Sequence, residues 1–323
     1  MHGGPDAHGV PLHDFSTNSN ACGPCPHTRA ALQSCDASRY PDPTYSHLKL
    51  QLAAFHGVVS ERIVLCGSAS EFIFRITAWV AQQGGKAVRV PQHAYGDYAQ
   101  AARAWGLSVV TTGQDSALQW HADPSSPLGQ SLVESCAWDC AAVQVLDCAY
   151  EPLRLSGTSA WTPLQRDALW QLYTPNKALG LTGVRAAYAI APLGSAQSVA
   201  ALERLCASWP LGAHGVALLQ SWVQPVVQAW LAQSRVKLVL WKARQCSQLE
   251  SLGWICQPSD TNFFCARPLG EAPGFDLGQK LVALRSQGIK LRDATSFGLP
   301  GHVRVCVQPP AVQDALVGAW QAL

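Results

Sequence analysis

"LYTPNKALGLTGVRAAYAIAP", residues 172–192, sets a lysine among small and apolar residues, with hydroxyl and amide groups before it and "GVR" closing eight residues after it. A lysine taken out of water loses part of its preference for the charged form. The free amine is then a nucleophile able to form a Schiff base. Thr174 and Arg185 bracket Lys177 and are suited to holding an anion beside it. The stretch closes on "AAYAIAP", which reads as a short buried strand of the kind found in a mostly parallel sheet between helices. The fold class that follows is α/β.

Working outward, the same alternation recurs. A helix at "SHLKLQLAAFHG" precedes a strand "RIVL", a helix "SEFIFRITAWVAQQ" stopped by Gly84 and Gly85, and a strand "AVRV". "YAQAARAWG" then leads to "LSVVTT", and "AAVQVL" adds a further strand. A large α/β domain therefore spans residues 45–225. Two helical stretches follow, then a strand near "TNFFCARP", a helix "DLGQKLVALRSQG", strands "IKL" and "HVRVCV", and a final helix from Ala311. Residues 226–323 read as a smaller α+β domain, joined by an N-terminal segment of residues 1–44.

Charged residues make up 14% of the 323, against about 25% in an average soluble protein. A surface this poor in charge suits burial under a second subunit, which points to a homodimer. The net charge is +2 without a basic run, so neither nucleic acid nor an anionic membrane is an expected partner. "GVALLQSWVQPVVQAWLAQ", the most apolar helical stretch, is interrupted by Gln, Ser and Pro225, and the opening residues lack a secretion signal. A cytoplasmic location is expected.

Twelve cysteines are scattered without framework spacing, and most read as small core residues. "ACGPCPH", residues 21–27, has the spacing of a redox dithiol, but no apolar strand leads into it. Zinc held by Cys22, Cys25, His27 and Cys35 is disfavoured because no second ligand pair follows, so no metal site is expected.

The lysine stretch resembles the "S-x-S-K-x-x-x-L-x-G-x-R" motif of class I and II aminotransferases. It is most similar to the branch that holds histidinol-phosphate aminotransferase and threonine-phosphate decarboxylase. That resemblance implies fold type I, a large domain with a mostly parallel seven-stranded sheet plus a smaller domain, and pyridoxal 5'-phosphate as cofactor. It makes Lys177 the lysine that carries the cofactor, with Thr174 and Arg185 on the cofactor phosphate.

Other motifs follow in family order. "GSASEF" places Ser68, Ala69 and Ser70 at the start of a helix, where backbone N–H groups face an anion, as the family's phosphate turn does. "HAYGDY" is similar to "P-T-Y-G-x-Y" and makes Tyr95 the aromatic plate on the cofactor ring. "VQVLDCAYEPL" is similar to "D-x-A-Y": Asp147 would pair with the pyridine nitrogen and Tyr150 with the ring oxygen. "DPSSPLG" stands where the family has "N-P-N-N-P-T-G", so Ser126 replaces the asparagine that contacts the ring oxygen. "RYPDP" resembles the segment whose Tyr40 reaches the neighbouring subunit, implying a homodimer with shared active sites.

For the substrate, the resemblance implies Asn262 in "SDTNFF" and Arg304 in "HVRVCV", the latter on a carboxylate. "LRDATSFGLPGHVRV" adds Arg292. "HGG" and "DFSTNSN" resemble the decarboxylase branch's covering segment, which brings His2, Gly3, Gly4 and Asn18 to a small phosphorylated amino acid or amine. The implied reaction is decarboxylation of L-threonine O-3-phosphate to (R)-1-aminopropan-2-yl phosphate in cobalamin biosynthesis. The alternative is an aminotransferase of the histidinol-phosphate type. A non-catalytic ligand-binding module is a third reading, against which the retained Lys177, Asp147 and Arg304 stand.

Overall fold

A computed structural model describes residues 3–112, 115–131, 142–269 and 276–323. Seven strands form the central sheet, in the order Ile63–Cys66, Ala187–Ile190, Trp170–Tyr173, Val143–Asp147, Leu118–Ala122, Ala87–Arg89 and Ser108–Val110. Ala187–Ile190 runs antiparallel to both neighbours and every other pairing is parallel, so six strands share one direction. The consequence is local and decisive. The six share one carboxyl edge, and the reversed strand begins at that edge, which brings Arg185 beside the ends of the others.

Two of the seven strands, Leu118–Ala122 and Trp170–Tyr173, lie in stretches the apolar pattern does not mark as strands. Their interior positions are partly polar. Gln144 Nε2 donates to Gln119 Oε1 at 2.9 Å, and His121 Nε2 meets Gln144 Oε1 at 2.6 Å, so a buried amide ladder crosses the sheet with its groups paired. Both faces of the sheet are covered. Val64 and Val145 point into a core with Phe72, Ile73 and Ile76 from the helix Ala69–Gln82, while Leu65 and Leu146 point into the opposite core. Full burial of each such side chain is worth about 1.5–3 kcal/mol.

Where the sequence suggests two helical stretches after residue 225, the structure has one helix, Pro225–Ser251. Pro225 sits at its first position, where the missing N–H costs nothing, and the preceding helix Ala213–Trp222 ends just before it. The long helix leads to a four-stranded antiparallel sheet ordered Arg292–Asp293, Val303–Cys306, Phe263–Pro268 and Trp254–Cys256. Near the N-terminus, His13–Asp14 pairs in parallel with Ile289–Lys290. No helix among the described residues is long and apolar enough to cross a membrane.

Candidate active site

A cavity of about 550 Å³ opens at the carboxyl edge of the central sheet. Lys177, Asp147, Tyr150, Tyr95, Thr174 and Arg185 all line it, as do Ala69, Ser70 and Ser126. Edge placement follows from topology, since side chains just beyond parallel strand ends converge on one crevice.

Asp147 ends the strand Val143–Asp147 and is 8% exposed. Its Oδ2 accepts from Tyr98 Oη at 2.5 Å, and its Oδ1 accepts from the Ala149 backbone N–H at 2.9 Å. Burial raises its pKa above the usual carboxylate value, and the Tyr98 hydroxyl and Lys177 charge oppose that rise. Tyr98 is fully buried and stacks on Trp120, with ring centroids 4.3 Å apart and planes within 9°. Sequence reading treats Tyr98 as a helical neighbour of Tyr95. Its position three residues on, on the same helix face, is the signal that could have joined it to the site.

Lys177 is half-buried, with its Nζ 4.7 Å from the centroid of the Tyr150 ring. The loop that carries it is fastened from outside. Asn20 N–H donates to Lys177 O at 2.9 Å, Asn20 Nδ2 to Ala178 O at 2.9 Å, and Cys25 N–H to Leu179 O at 2.8 Å. Gly23 and Gly180 lie back to back: a Cβ on either would stand 2.8 Å from the other's Cα. Hence "ACGPCPH" is a backbone crossing over the lysine loop, with Cys25 capping the helix Pro26–Ser34. Cys22 and Cys25 are free thiols, and among the described residues no group of His, Cys, Asp or Glu is gathered for a metal ion.

Thr174 Oγ1 donates to Asn176 Oδ1 at 3.0 Å, which ties the residue before the turn to the one beside the lysine. Ser68 caps the helix Ala69–Gln82 by accepting from Glu71 N–H at 3.1 Å; it does not line the cavity itself. Ser70 Oγ lies 3.3 Å from Tyr95 Oη, joining the helix start to the aromatic plate.

Opposite this wall stand two arginines. Arg292 and Arg304 are direct cross-strand partners, so the register sets their guanidinium groups side by side, and neither forms an ion pair among the described residues. Phe297 lies 4.9 Å from Arg292 and 5.4 Å from Arg304, covering both, while Arg292 Nη2 donates to Ser296 Oγ at 2.9 Å. Arg304 Nε is buried without a partner. Gly3, Ser16, Thr17 and Asn18 form the remaining wall, and Asn18 Nδ2 donates to Tyr150 Oη at 3.2 Å. Ser16, Thr17, Ser296 and Phe297 also line the cavity; they lie inside the quoted stretches but were not singled out, because nothing local to the sequence shows which side chains of those stretches face the cavity.

Besides Ser68, three expected residues lie elsewhere. Gly4 lines an adjoining cleft. Asn262 is fully buried behind the cavity wall, its Nδ2 donating to Ser19 O at 2.9 Å while its Oδ1 is buried without a partner. Tyr40 is 78% exposed and stacks on Trp209 at 4.6 Å, away from this chain's own cavity. His2 falls outside the described residues.

The donor set fits pyridoxal phosphate. An amine, a buried carboxylate, an aromatic plate and a helix start with hydroxyl and guanidinium groups meet in one cavity, and the buried Asp147 has a lone pair left for a ring N–H. Fold and site thus define a pyridoxal-phosphate enzyme of fold type I. The sequence matches the family Aminotransferase class I and II over residues 11–128 and 130–319, and the chain belongs to that family. It is 27% identical to a histidinol-phosphate aminotransferase of Ruegeria pomeroyi, over 95% of this chain and 90% of the relative. In three dimensions it is similar to histidinol-phosphate aminotransferase from Sinorhizobium meliloti in complex with pyridoxal-5'-phosphate, with a TM-score of 0.77, 20% identity and coverage of 95% and 90%. It is also similar to L-threonine-O-3-phosphate decarboxylase from Porphyromonas gingivalis, with a TM-score of 0.79, 20% identity and coverage of 95% and 98%.

Proposed function

We propose that this enzyme transfers an amino group between a small phosphorylated amine of the histidinol-phosphate kind and a 2-oxo acid. The observation that carries the reading is the meeting of Lys177 and Asp147 with the registered pair Arg292 and Arg304 across one cavity. The names of the sequence relatives favour transamination over the decarboxylation expected first.

Bound pyridoxal phosphate supplies an electron sink for the bond broken at the substrate's α-carbon. The protein chooses that bond and moves the proton. Lys177 Nζ, a half-buried amine beside the Tyr150 ring, would take the proton from the substrate's α-carbon and deliver it to the cofactor's aldehyde carbon, so that the amino group stays behind when the oxo product leaves. Asp147 would hold a proton at the ring nitrogen, and the Tyr98 hydrogen bond favours the charged form of Asp147 that this needs, against the pull of burial. Tyr95 fixes the ring plane and excludes water from one face. Tyr150 donates to the ring oxygen, with Asn18 bonded to its hydroxyl, where Ser126 is too short to replace an asparagine. Ser70, Thr174 and Arg185 hold the cofactor phosphate, while Arg292 and Arg304 bind the substrate's phosphate and the oxo acid's carboxylate in turn. We further propose a homodimer in which Tyr40 reaches the second active site, with residues 1–44, 45–225 and 226–323 as its structural divisions.

A second reading, decarboxylation of L-threonine O-3-phosphate, is favoured by the two guanidinium groups that have no ion pair among the described residues, which suit one substrate bearing both phosphate and carboxylate. Purified enzyme separates the two. Amino transfer from histidinol phosphate that consumes 2-oxoglutarate in equal amount supports the first. Carbon dioxide release from threonine phosphate without any oxo acid rejects it in favour of the second.

A further inference from the structure

We propose that Asp6 and Lys290 form a clasp that holds the N-terminal loop as a wall of the substrate cavity and, through Ser16, aims Arg304. The proposal rests on the cavity being a site for a phosphorylated amine. Asp6 lies outside the cavity, yet its carboxylate is gripped by three side-chain donors, Arg285 Nε at 3.0 Å, Arg285 Nη2 at 2.8 Å and Lys290 Nζ at 2.8 Å, and by the His8 backbone N–H at 2.9 Å. Lys290, with 9% of its side chain exposed, also donates to the Gly4 carbonyl at 2.5 Å, so one ammonium ties two points of the loop.

From Gly4 the connection runs inward one bond at a time. Gly4 N–H donates to Ser16 Oγ at 2.9 Å, and Ser16 O accepts from Arg304 Nη2 at 3.0 Å. The loop lies flat on this residue, for a Cβ on Gly3 would stand 2.3 Å from Ser16 O. Ser16 is itself fixed, its Oγ donating to Asp14 Oδ1 at 2.5 Å. Asp14 and Lys290 are register partners, so the clasp and the seat of Arg304 share one strand pair. Arg304 keeps a buried Nε without a partner, aimed where an anion would complete it. Losing the clasp frees Gly3 and Gly4, opens that wall and loosens Arg304. Asp6 and Lys290 touch no reacting atom, so they are positioning residues, and their effect falls on binding.

The test uses Asp6→Asn, Lys290→Met and the conservative Asp6→Glu in the cofactor-loaded enzyme. Amide hydrogen exchange over residues 3–9 should quicken in Asp6→Asn and Lys290→Met. The KM for histidinol phosphate and the Kd for inorganic phosphate should each rise about fivefold, with kcat within about twofold of wild type. Asp6→Glu should restore both. Added KCl should raise KM in both enzymes, because it screens the phosphate's own contacts, and should raise it more steeply in wild type than in Asp6→Asn, because only wild type also has the partly exposed clasp to lose. Unchanged exchange overturns the clasp, and so does faster exchange with unchanged KM and phosphate Kd. A wild-type enzyme that turns over no histidinol phosphate rejects the proposed function alone, because exchange and phosphate Kd still decide the clasp.

Discussion

The Asp147 carboxylate gains one hydrogen bond from a phenol 49 positions away in sequence and one from a backbone N–H two residues on. Burial raises its folded-state pKa above its unfolded one. Stability tied to its protonated form is therefore fully present below the unfolded value and lost as pH rises through the folded value. Tyr98→Phe removes the donor that opposes this rise. We predict that the apoprotein variant loses about 1–3 kcal/mol at neutral pH and less at pH 4, measured by urea denaturation at both. Equal losses at the two would show that Tyr98 does not govern Asp147. Cofactor affinity in a titration of that apoprotein should fall as well. Lys177→Ala should abolish borohydride-trapped cofactor, and trapping at another lysine would reject the assignment. Lys177 and Asp147 were legible because each sits in a recognisable local pattern, Asp147 at the end of an apolar strand and Lys177 among small and apolar residues ahead of an arginine. The contribution of Tyr98 was not, because long-range hydrogen bonds leave no local trace.

Elements divide along a similar line. Ile63–Cys66 and Ala187–Ile190 announce themselves as apolar runs, whereas Leu118–Ala122 carries buried Gln119 and His121 and hides. A polar group is affordable in that sheet only because a neighbouring strand pairs it, and pairing is a property of the assembled fold. The merging of two helical stretches into Pro225–Ser251 has a related cause, since tertiary contacts at Leu231, Leu238 and Leu249 hold the helix through its polar turns. At the crossing of the N-terminal segment and the lysine loop, backbone meets backbone. Gly180, at φ +67, faces both a strained conformation and a clash if given a Cβ. Gly180→Ala should cost upwards of about 2 kcal/mol in thermal or urea unfolding. By contrast, replacing Cys22 and Cys25 together with Ser should leave turnover within about threefold, because neither thiol lines the cavity. A large loss, or insulin-reducing activity in the native protein, would restore the redox reading.

For the whole molecule, pH enters through a second buried group. His56 closes the helix Ser46–His56 and meets Tyr188 Oη at 2.8 Å; burial drives its pKa down to about 4. A base so depressed contributes stability above its unfolded value of 6.5, and that stability is lost as pH falls through the folded value. The acid limb of the stability curve should lose about 3 kcal/mol from this site, and His56→Gln should flatten it. Quaternary structure is tested at Tyr40, whose exposed ring stacked on Trp209 is available to a second subunit. Tyr40→Ala should weaken cofactor binding in a dimer followed by sedimentation, and a monomeric wild type would reject shared sites.

The bonds from Asn20 and Cys25 to residues 177–179 also carry a timetable. On the ribosome the stretch around Gly23 has nothing to dock against until the lysine loop has followed, Ala178 being 158 positions after Asn20. Closing so long a loop is slow and entropically costly compared with forming the helices and strands in between. The surroundings of the reactive amine are therefore completed late in folding, by residues made well before the amine itself.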